Sequence, residues 1–251
     1  MSGHSKWSQI KHKKAATDKK RGAVFSKIAV AITIAARDGG DDPSSNFKLR
    51  LAIDKAKQAN MPQANVERAI KKGTGEAGGA IIEEVVYEGF GPQGVAIICE
   101  GATDNKNRTL SEVKRIFSEN HGRLAGSGAV AYQFEPKGII SIKTPKDQEE
   151  LELELIDAGA EDFEEAEDSL IIYTTPAGFG RVKKMLTDKG VGINSAELAK
   201  EAKNIVQIKD KEAAEKILNL VEALENHQDI LAVFSNFDIP EKLLTELGET
   251  K

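Results

Sequence analysis

The sequence offers few residues whose types and spacing could perform catalysis. Its four histidines are scattered, and none lies at metal-ligand spacing from a cysteine or a second histidine: His4, His12, His121 and His227. The single cysteine, Cys99, lies within an apolar run and is typical of a small buried side chain. No nucleophile and base stand at suitable spacing, so we predict a protein that is not an enzyme and uses no metal and no cofactor.

One glycine-rich stretch matches a nucleotide-binding pattern in outline. GFGPQG at 89–94 fits G-x-G-x-x-G, which binds pyrophosphate when it opens a helix. Pro92 and the apolar VAIIC that follows favour a turn between two strands instead. We therefore predict a hairpin here and a second turn, before a strand, at GSG, residues 126–128. Glycine-rich backbone of this kind can also approach a phosphate closely.

The N-terminal stretch MSGHSKWSQIKHKKAATDKKRGAVF has the composition of a nucleic-acid contact. Lysines and arginines pair with phosphates, and an aromatic ring among them can stack on an unpaired base. We predict such contacts for nine residues: Lys6, Trp7, Lys11, His12, Lys13, Lys14, Lys19, Lys20 and Arg21. The loops 104–109 (DNKNRT) and 123–128 (RLAGSG) are weaker candidates. A solubilising tail is the alternative explanation of the same lysines.

The charge of the chain is divided by position. Residues 1–75 carry 16 basic and 6 acidic side chains, a net of +10, and the rest carry 19 and 34, a net of −15. Twelve acidic residues and no lysine or arginine lie between Asp147 and Asp168. Such a run is typical of a solvated face, and it could also bind a basic protein partner.

The first part of the chain is predicted to be helical. Residues 1–22 contain few apolar side chains and should form a flexible basic arm. Three helices follow in 23–78: an enclosed one at 24–37, an amphipathic one with Leu49, Ala52, Ile53 and Ala56 on its apolar stripe, and one between Pro62 and Gly73. TGEAGG at 74–79 is a linker.

The rest of the chain alternates between strand and helix patterns. Residues 80–135 predict strand, strand, helix and strand, with the last strand in AVAYQFE at 129–135, and 138–204 predict the ferredoxin-like order βαββαβ. Residues 205–251 are too few for a domain and should complete the one begun at 80–135. The predicted fold class is α+β multi-domain, with an N-terminal three-helix domain followed by two ferredoxin-like α/β domains, the third inserted into the second.

The sequence gives no sign of membrane insertion or export. Its longest apolar runs, such as AVAITIAA at 29–36, are much shorter than the roughly 20 residues of a membrane-spanning helix. The N-terminus lacks an apolar signal core, and one cysteine cannot form an internal disulfide. We therefore expect a cytoplasmic protein without a membrane partner.

Several motifs in order along the chain resemble the YebC family: GHSKWSQIKHKKAATDKKRGAVFSK, RLAIDKAKQANMPQANVERAIKKGTGE, YEGFGPQGVAIICE, TDNKNRT and GSGAVAYQFEPKG. The resemblance implies the three-domain fold given above and a regulator of gene expression that is not an enzyme. Members are described as transcriptional regulatory proteins that bind DNA, and related proteins act in translation. The chain departs from many relatives at Val30 and Ala31, where they have an Arg-Glu pair.

Three functions remain open at this stage. The first is DNA binding as a transcriptional regulator, with lysines and arginines on phosphates. The second is association with the ribosome, because a basic arm suits an irregular crevice of ribosomal RNA and a body with net charge −15 resists lying along a duplex. The third is a protein adaptor that uses the acidic segment 147–168.

Overall fold

The computed structural model describes residues 18–78, 81–145, 147–166 and 168–249. Packing divides the described residues into two compact units, one within 134–203 and the other formed by the described residues before and after that range.

Three helices open the described part of the chain: α1 (Asp18–Gly39), α2 (Phe47–Gln58) and α3 (Gln63–Gly73). Both α2 and α3 pack on α1, whose residues 32–36 are all buried, as predicted for an enclosed helix. The predicted stripe of α2 is also confirmed, because Leu49, Ala52 and Ala56 are buried and Ile53 packs against the same core. Residues 18–22, which fall in the predicted arm, form the start of α1.

The chain then forms two long strands, a helix and a short strand: β1 (Glu83–Phe90), β2 (Ala96–Thr103), α4 (Lys106–Glu119) and β3 (Arg123–Ala125). The predicted hairpin is confirmed, since a 3-10 turn at Pro92–Gly94 joins β1 to its antiparallel partner β2. Gln93 and Gly94 both have positive φ angles in this turn. GFGPQG therefore opens no helix.

Residues 134–203 form an antiparallel sheet with two helices: β4 (Phe134–Lys143), α5 (Gln148–Ala158), β5 (Ala160–Ala166), β6 (Ser169–Thr174), α6 (Pro176–Asp188) and β7 (Ile193–Ala202). Its strand order, β5-β6-β4-β7, is that of a ferredoxin-like fold. The two ends of this unit are direct neighbours, because Phe134 pairs with Ala202 across β4 and β7.

Five elements follow residue 203: β8 (Val206–Gln207), α7 (Lys211–Asn226), β9 (Ile230–Ser235), β10 (Phe237–Asp238) and α8 (Glu241–Glu249). Strands β8 and β10 pair in parallel as a separate two-stranded sheet. Strand β9 pairs with β2, which completes the antiparallel order β3-β1-β2-β9. Buried residues of α4 and α7 pack with those of the strands in one core that includes Phe117, Ile217, Val221 and Val233. Strand β9 thus joins the same sheet as β1, β2 and β3, although the unit of residues 134–203 lies between them in the sequence.

One predicted strand is wrong. The segment 129–135 does not form a strand over its length: the third strand is β3, residues 131–133 form a 3-10 turn, and β4 begins at Phe134. The reason lies in the hydrogen bonds, because the amides of Val130 and Ala131 donate to the side chain of Glu88. They are therefore not available to a neighbouring strand.

The predicted fold class is confirmed: an α+β chain with N-terminal helices, followed by two α/β parts of which one interrupts the other. The residue limits given for the individual domains stay predictions. Within the described ranges, no helix has both the length and the apolar character needed to cross a membrane.

Candidate nucleic-acid interface

The predicted contact residues fall mostly outside the described part of the chain. This holds for six of the nine: Lys6, Trp7, Lys11, His12, Lys13 and Lys14. Lys19, Lys20 and Arg21 belong to the start of α1, and Arg21 is exposed. The assignment of these nine residues to nucleic acid therefore stays a prediction.

The helices α2 and α3 carry a second set of basic side chains. Residues 47–73 contain seven basic and two acidic residues, an excess of five positive charges. All seven basic residues are exposed: Lys48, Arg50, Lys55, Lys57, Arg68, Lys71 and Lys72. Within the described ranges, no ion pair involves Lys48, Lys57, Arg68, Lys71 or Lys72. These five cations, which we call the α2/α3 basic set, are free to contact an external anion.

Three members of the α2/α3 basic set share one side of α3. Lys71 and Lys72 follow Arg68 by three and four residues, so the three side chains are neighbours on the helix surface. Val66 and Ala69 are buried on the opposite side. Like charges at these spacings destabilise a helix by about 0.2–0.5 kcal/mol per pair, although the helix dipole favours cations in the last turn. The grouping of Arg68, Lys71 and Lys72 therefore contributes little to the stability of α3.

Buried polar contacts fix α2 and α3 against α1. The Asn46 side-chain oxygen accepts a hydrogen bond from the amide of Leu49 (3.0 Å) and caps α2. Its Nδ2 donates to the carbonyl of Ala35 (2.7 Å) near the end of α1 and to that of Gly40 (2.8 Å) just after it. On the other side, the Thr33 hydroxyl donates to the carbonyl of Ala69 in α3 at 3.1 Å. The basic side chains therefore project from a rigid support.

The motif TDNKNRT builds a hydrogen-bonded junction between two loops. Asp229, just before β9, accepts hydrogen bonds on Oδ2 from the hydroxyls of Thr109 (2.6 Å) and Thr103 (3.1 Å) and from Nη2 of Arg108 (2.9 Å). Asn105 caps α4 by accepting from the amide of Arg108. Burial alone would raise the pKa of Asp229, but the hydrogen bonds from Thr109, Arg108 and Thr103 outweigh it and lower the pKa.

The cations of the loop 104–109 are committed within the protein. Arg108 forms ion pairs with Asp229 and with Asp104, at 2.9 and 3.0 Å, and Lys106 forms one with Glu83. These ion pairs give both cations a role within the protein, and the weaker prediction that this loop contacts nucleic acid stays a prediction. Its residue types are explained by a structural junction.

The loop 123–128 and the residues just after it bind a buried carboxylate of the protein. Glu88, whose side chain is buried (5% exposed), accepts hydrogen bonds from the amides of Gly128 (2.7 Å), Val130 (2.7 Å) and Ala131 (2.9 Å). Backbone amides that could have held a phosphate thus hold a carboxylate of the protein itself. The Arg123 guanidinium lies 4.7 Å from the centre of the Phe90 ring, which leaves Arg123 as the remaining candidate in this loop.

A cluster of Glu112, His227 and Asp229 has the composition of a metal site but not its chemistry. Nδ1 of His227 accepts the amide of Asp229 (3.1 Å), so the ring proton lies on Nε2, 2.8 Å from Glu112. A metal ion binds the lone pair of a ring nitrogen, and at Nε2 of His227 the proton takes that place. The Arg108 cation also lies against Asp229. The cluster is a hydrogen-bonded network that joins α4 to the loop before β9.

Sequence reasoning missed the α2/α3 basic set as a candidate, although its signal was present. The spacing of Arg68, Lys71 and Lys72 beside the buried positions Val66 and Ala69 places all three on the exposed side of a helix. The partners of Glu88 and Asp229 had no such signal, because they lie 40 or more residues away along the chain.

Comparison with known proteins gives matches over nearly the whole chain. Residues 5–76 match the family domain described as "TACO1/YebC protein N-terminal domain", and residues 82–237 match "TACO1/YebC second and third domain". A relative from Halothermothrix orenii named "Probable transcriptional regulatory protein" is 48% identical over 252 residues, covering 99% of this chain and 100% of the relative. A relative of the same name from Dictyoglomus thermophilum is 49% identical over 250 residues, with coverage of 99% and 100%.

A solved structure supports the same grouping. The crystal structure of a conserved hypothetical protein from Aquifex aeolicus superposes with a TM-score of 0.84 at 47% sequence identity. The superposition covers 94% of this chain and 97% of that one.

Proposed function

The chain belongs to the TACO1/YebC family, and on that premise we propose that it is a nucleic-acid-binding regulator of gene expression. It acts without catalysis, in the cytoplasm, and its N-terminal basic region contacts phosphates. DNA is the first candidate ligand, because the relatives are named transcriptional regulatory proteins. Ribosomal RNA is the second, since the rest of the chain is strongly acidic and would be repelled along an extended duplex.

The observation that carries the proposal is the α2/α3 basic set. Five exposed cations without an ion pair within the described ranges stand on two helices that are fixed to α1. A rigid support means that little backbone freedom is lost when these cations meet phosphates, so less of the binding energy is spent on ordering the chain. The nine predicted residues of 6–21 would add further cations from the N-terminal part of the sequence.

The test is the salt dependence of binding to a labelled 30-base-pair duplex. The triple variant Arg68→Gln, Lys71→Gln, Lys72→Gln removes three cations, and each phosphate contact contributes about −0.9 to the slope of log K against log salt. We therefore expect the slope to become less steep by about 2 to 3. The matched control Lys114→Gln, Lys209→Gln, Lys211→Gln removes three exposed lysines elsewhere and should leave the slope unchanged.

Two outcomes would count against the proposal. Equal effects of the two triple variants would mean that only net charge matters, and absence of binding at 0.05 M salt to either duplex or ribosomes would exclude nucleic acid as the ligand. A competition between ribosomes and duplex DNA at about 0.15 M salt then separates the two candidate ligands. A variant lacking residues 2–17 in the same assay measures how much the predicted N-terminal contacts contribute.

A further inference from the structure

The helix α5 has apolar side chains on two opposite sides. In the stretch ELELELI at 150–156 the leucines alternate with glutamates, a pattern that cannot place all of them on one side of a helix. Leu151 and Leu155 are buried in the unit formed by residues 134–203, whereas Leu153 is 67% exposed and Ile156 is 53% exposed. Leu153 and Ile156 are three residues apart and are therefore neighbours on the outer side of the helix.

Carboxylates surround this exposed apolar pair. Glu149 precedes Leu153 by four residues and Ile156 by seven, so it lies on the same side of α5. Glu150 and Asp157 flank Leu153 at spacings of three and four. All three acidic side chains are exposed, and within the described ranges none of them forms an ion pair. Glu152 and Glu154 are engaged differently, with Gln148 and Lys189.

The charge of this surface decides which partners it can bind. A single exposed leucine is common on protein surfaces, but Leu153 and Ile156 are adjacent, and the three carboxylates around them form no ion pair within the described ranges. The carboxylates repel nucleic acid and anionic lipid, and they repel the same face of a second copy of this chain. A cationic polypeptide with apolar side chains can pair with the carboxylates and also cover Leu153 and Ile156.

We propose that the outer face of α5, formed by Leu153, Ile156, Glu149, Glu150 and Asp157, binds a basic polypeptide segment that presents two apolar side chains one helical turn apart. The apolar side chains contact Leu153 and Ile156, and lysines or arginines pair with the surrounding carboxylates. In such contacts the apolar centre supplies most of the affinity and the charged rim sets the association rate and the choice of partner. The proposal concerns a different unit from the α2/α3 basic set and holds whether or not that set binds nucleic acid.

The probe is a fluorescein-labelled 16-residue helical peptide of lysine and alanine with two leucines three residues apart, added to the full-length protein. A peptide of the same composition with its leucines on opposite sides of the helix serves as the comparison. By fluorescence anisotropy, we expect the first peptide to bind at least tenfold more tightly than the second. The double variant Leu153→Gln, Ile156→Gln should weaken binding of the first peptide at least tenfold.

Two further variants separate the contributions. The triple variant Glu149→Gln, Glu150→Gln, Asp157→Asn should weaken binding and reduce its dependence on salt between 0.05 and 0.3 M. Leu198→Gln, which changes an exposed leucine on β7 of the same unit, should bind as the unaltered protein does. Equal binding of the two peptides, or equal loss in Leu198→Gln and in the double variant, would overturn the proposal, and so would the absence of any anisotropy change.

Discussion

Replacing Asp229 by asparagine tests the junction built by TDNKNRT, because the substitution removes the charge and keeps the size of the side chain. One carboxylate oxygen accepts hydrogen bonds from Thr109, Arg108 and Thr103 at 2.6, 2.9 and 3.1 Å. Hydrogen bonds to a charged group contribute about 1.5–3 kcal/mol each, and neutral ones about 0.5–1.5 kcal/mol. A loss of roughly 1 kcal/mol for each of three bonds predicts that Asp229→Asn lowers the free energy of unfolding by about 3 kcal/mol.

The matched control is Asp104→Asn, which alters the other carboxylate that contacts Arg108. Its ion pair has a similar length, 3.0 Å, but the Asp104 side chain is 48% exposed, against 12% for Asp229. Exposed ion pairs contribute little, about 0–1 kcal/mol. We therefore expect Asp104→Asn to reduce stability by less than 1 kcal/mol.

The stability lost in Asp229→Asn should be largest near neutral pH and smaller in acid. The pKa of Asp229 is lower in the folded protein than its usual value of 3.8, so the folded state binds the proton less readily than the unfolded state does. The stabilisation is therefore complete above the unfolded pKa and is lost as the pH falls through the folded pKa. The difference between the unaltered protein and Asp229→Asn should be constant from pH 5 to 8 and should shrink below pH 4.

Hydrogen exchange measured by mass spectrometry on segments 100–112 and 224–235 reports the opening of this junction, and urea unfolding reports global stability. Faster exchange in Asp229→Asn at both segments, with Asp104→Asn close to the unaltered protein, is the expected result. If the two variants lost the same stability, or if the loss in Asp229→Asn persisted unchanged at pH 3, the electrostatic account of the junction would be wrong.

Three other changes follow from close packing and burial. Gly73→Ala should destabilise the helical region by about 1–3 kcal/mol, because a Cβ there would lie 2.7 Å from Cβ of Ala36 and against the carbonyl of Thr33. Gly22→Ala, with nothing within 4 Å, should show no loss in the same thermal unfolding measurement, and equal losses would contradict the packing argument. Glu88→Gln should cost about 2–4 kcal/mol, since an amide cannot accept from three backbone donors, and should speed hydrogen exchange at 126–131. The exposed Glu84→Gln is its control, and slow exchange at 126–131 in Glu88→Gln would refute the assigned role. Burial raises the pKa of the Cys99 thiol, so Cys99 should resist a disulfide reagent at pH 8 until the protein unfolds in urea; immediate reaction of the native protein would show that the thiol is accessible.

Local sequence patterns were sufficient for most of the helices and strands. The apolar spacing in α2 and the order of elements in 138–204 are properties of short stretches, and both predictions are confirmed. The strand expected at 129–135 failed for the opposite reason. Its apolar residues favour a strand, but the amides of Val130 and Ala131 are bound by Glu88, which lies 42 and 43 positions earlier.

For the candidate sites too, features set by neighbouring residues could be predicted from the sequence, and features set by distant residues could not. The exposed side of α3 follows from spacing alone, so the α2/α3 basic set could have been proposed from the sequence. The motif TDNKNRT was visible as a motif, but its partner Asp229 lies 120 residues after Thr109, and no pattern in the motif indicates an acid at that distance. As long as Asp229 is not recognised as the partner, Lys106 and Arg108 are residue types that could equally bind phosphate.

The direct pairing of Phe134 with Ala202 has a consequence for the way the protein is made. Residues 134–203 enter and leave through adjacent strand ends, so this unit contains all of its own strands once residue 203 has left the ribosome. The surrounding core must wait longer, because α7 and β9 supply Ile217, Val221 and Val233, and these are synthesised afterwards. The interrupting unit can thus fold first during translation. Its paired ends then hold the point where the second half of the earlier core begins beside the point where the first half ends.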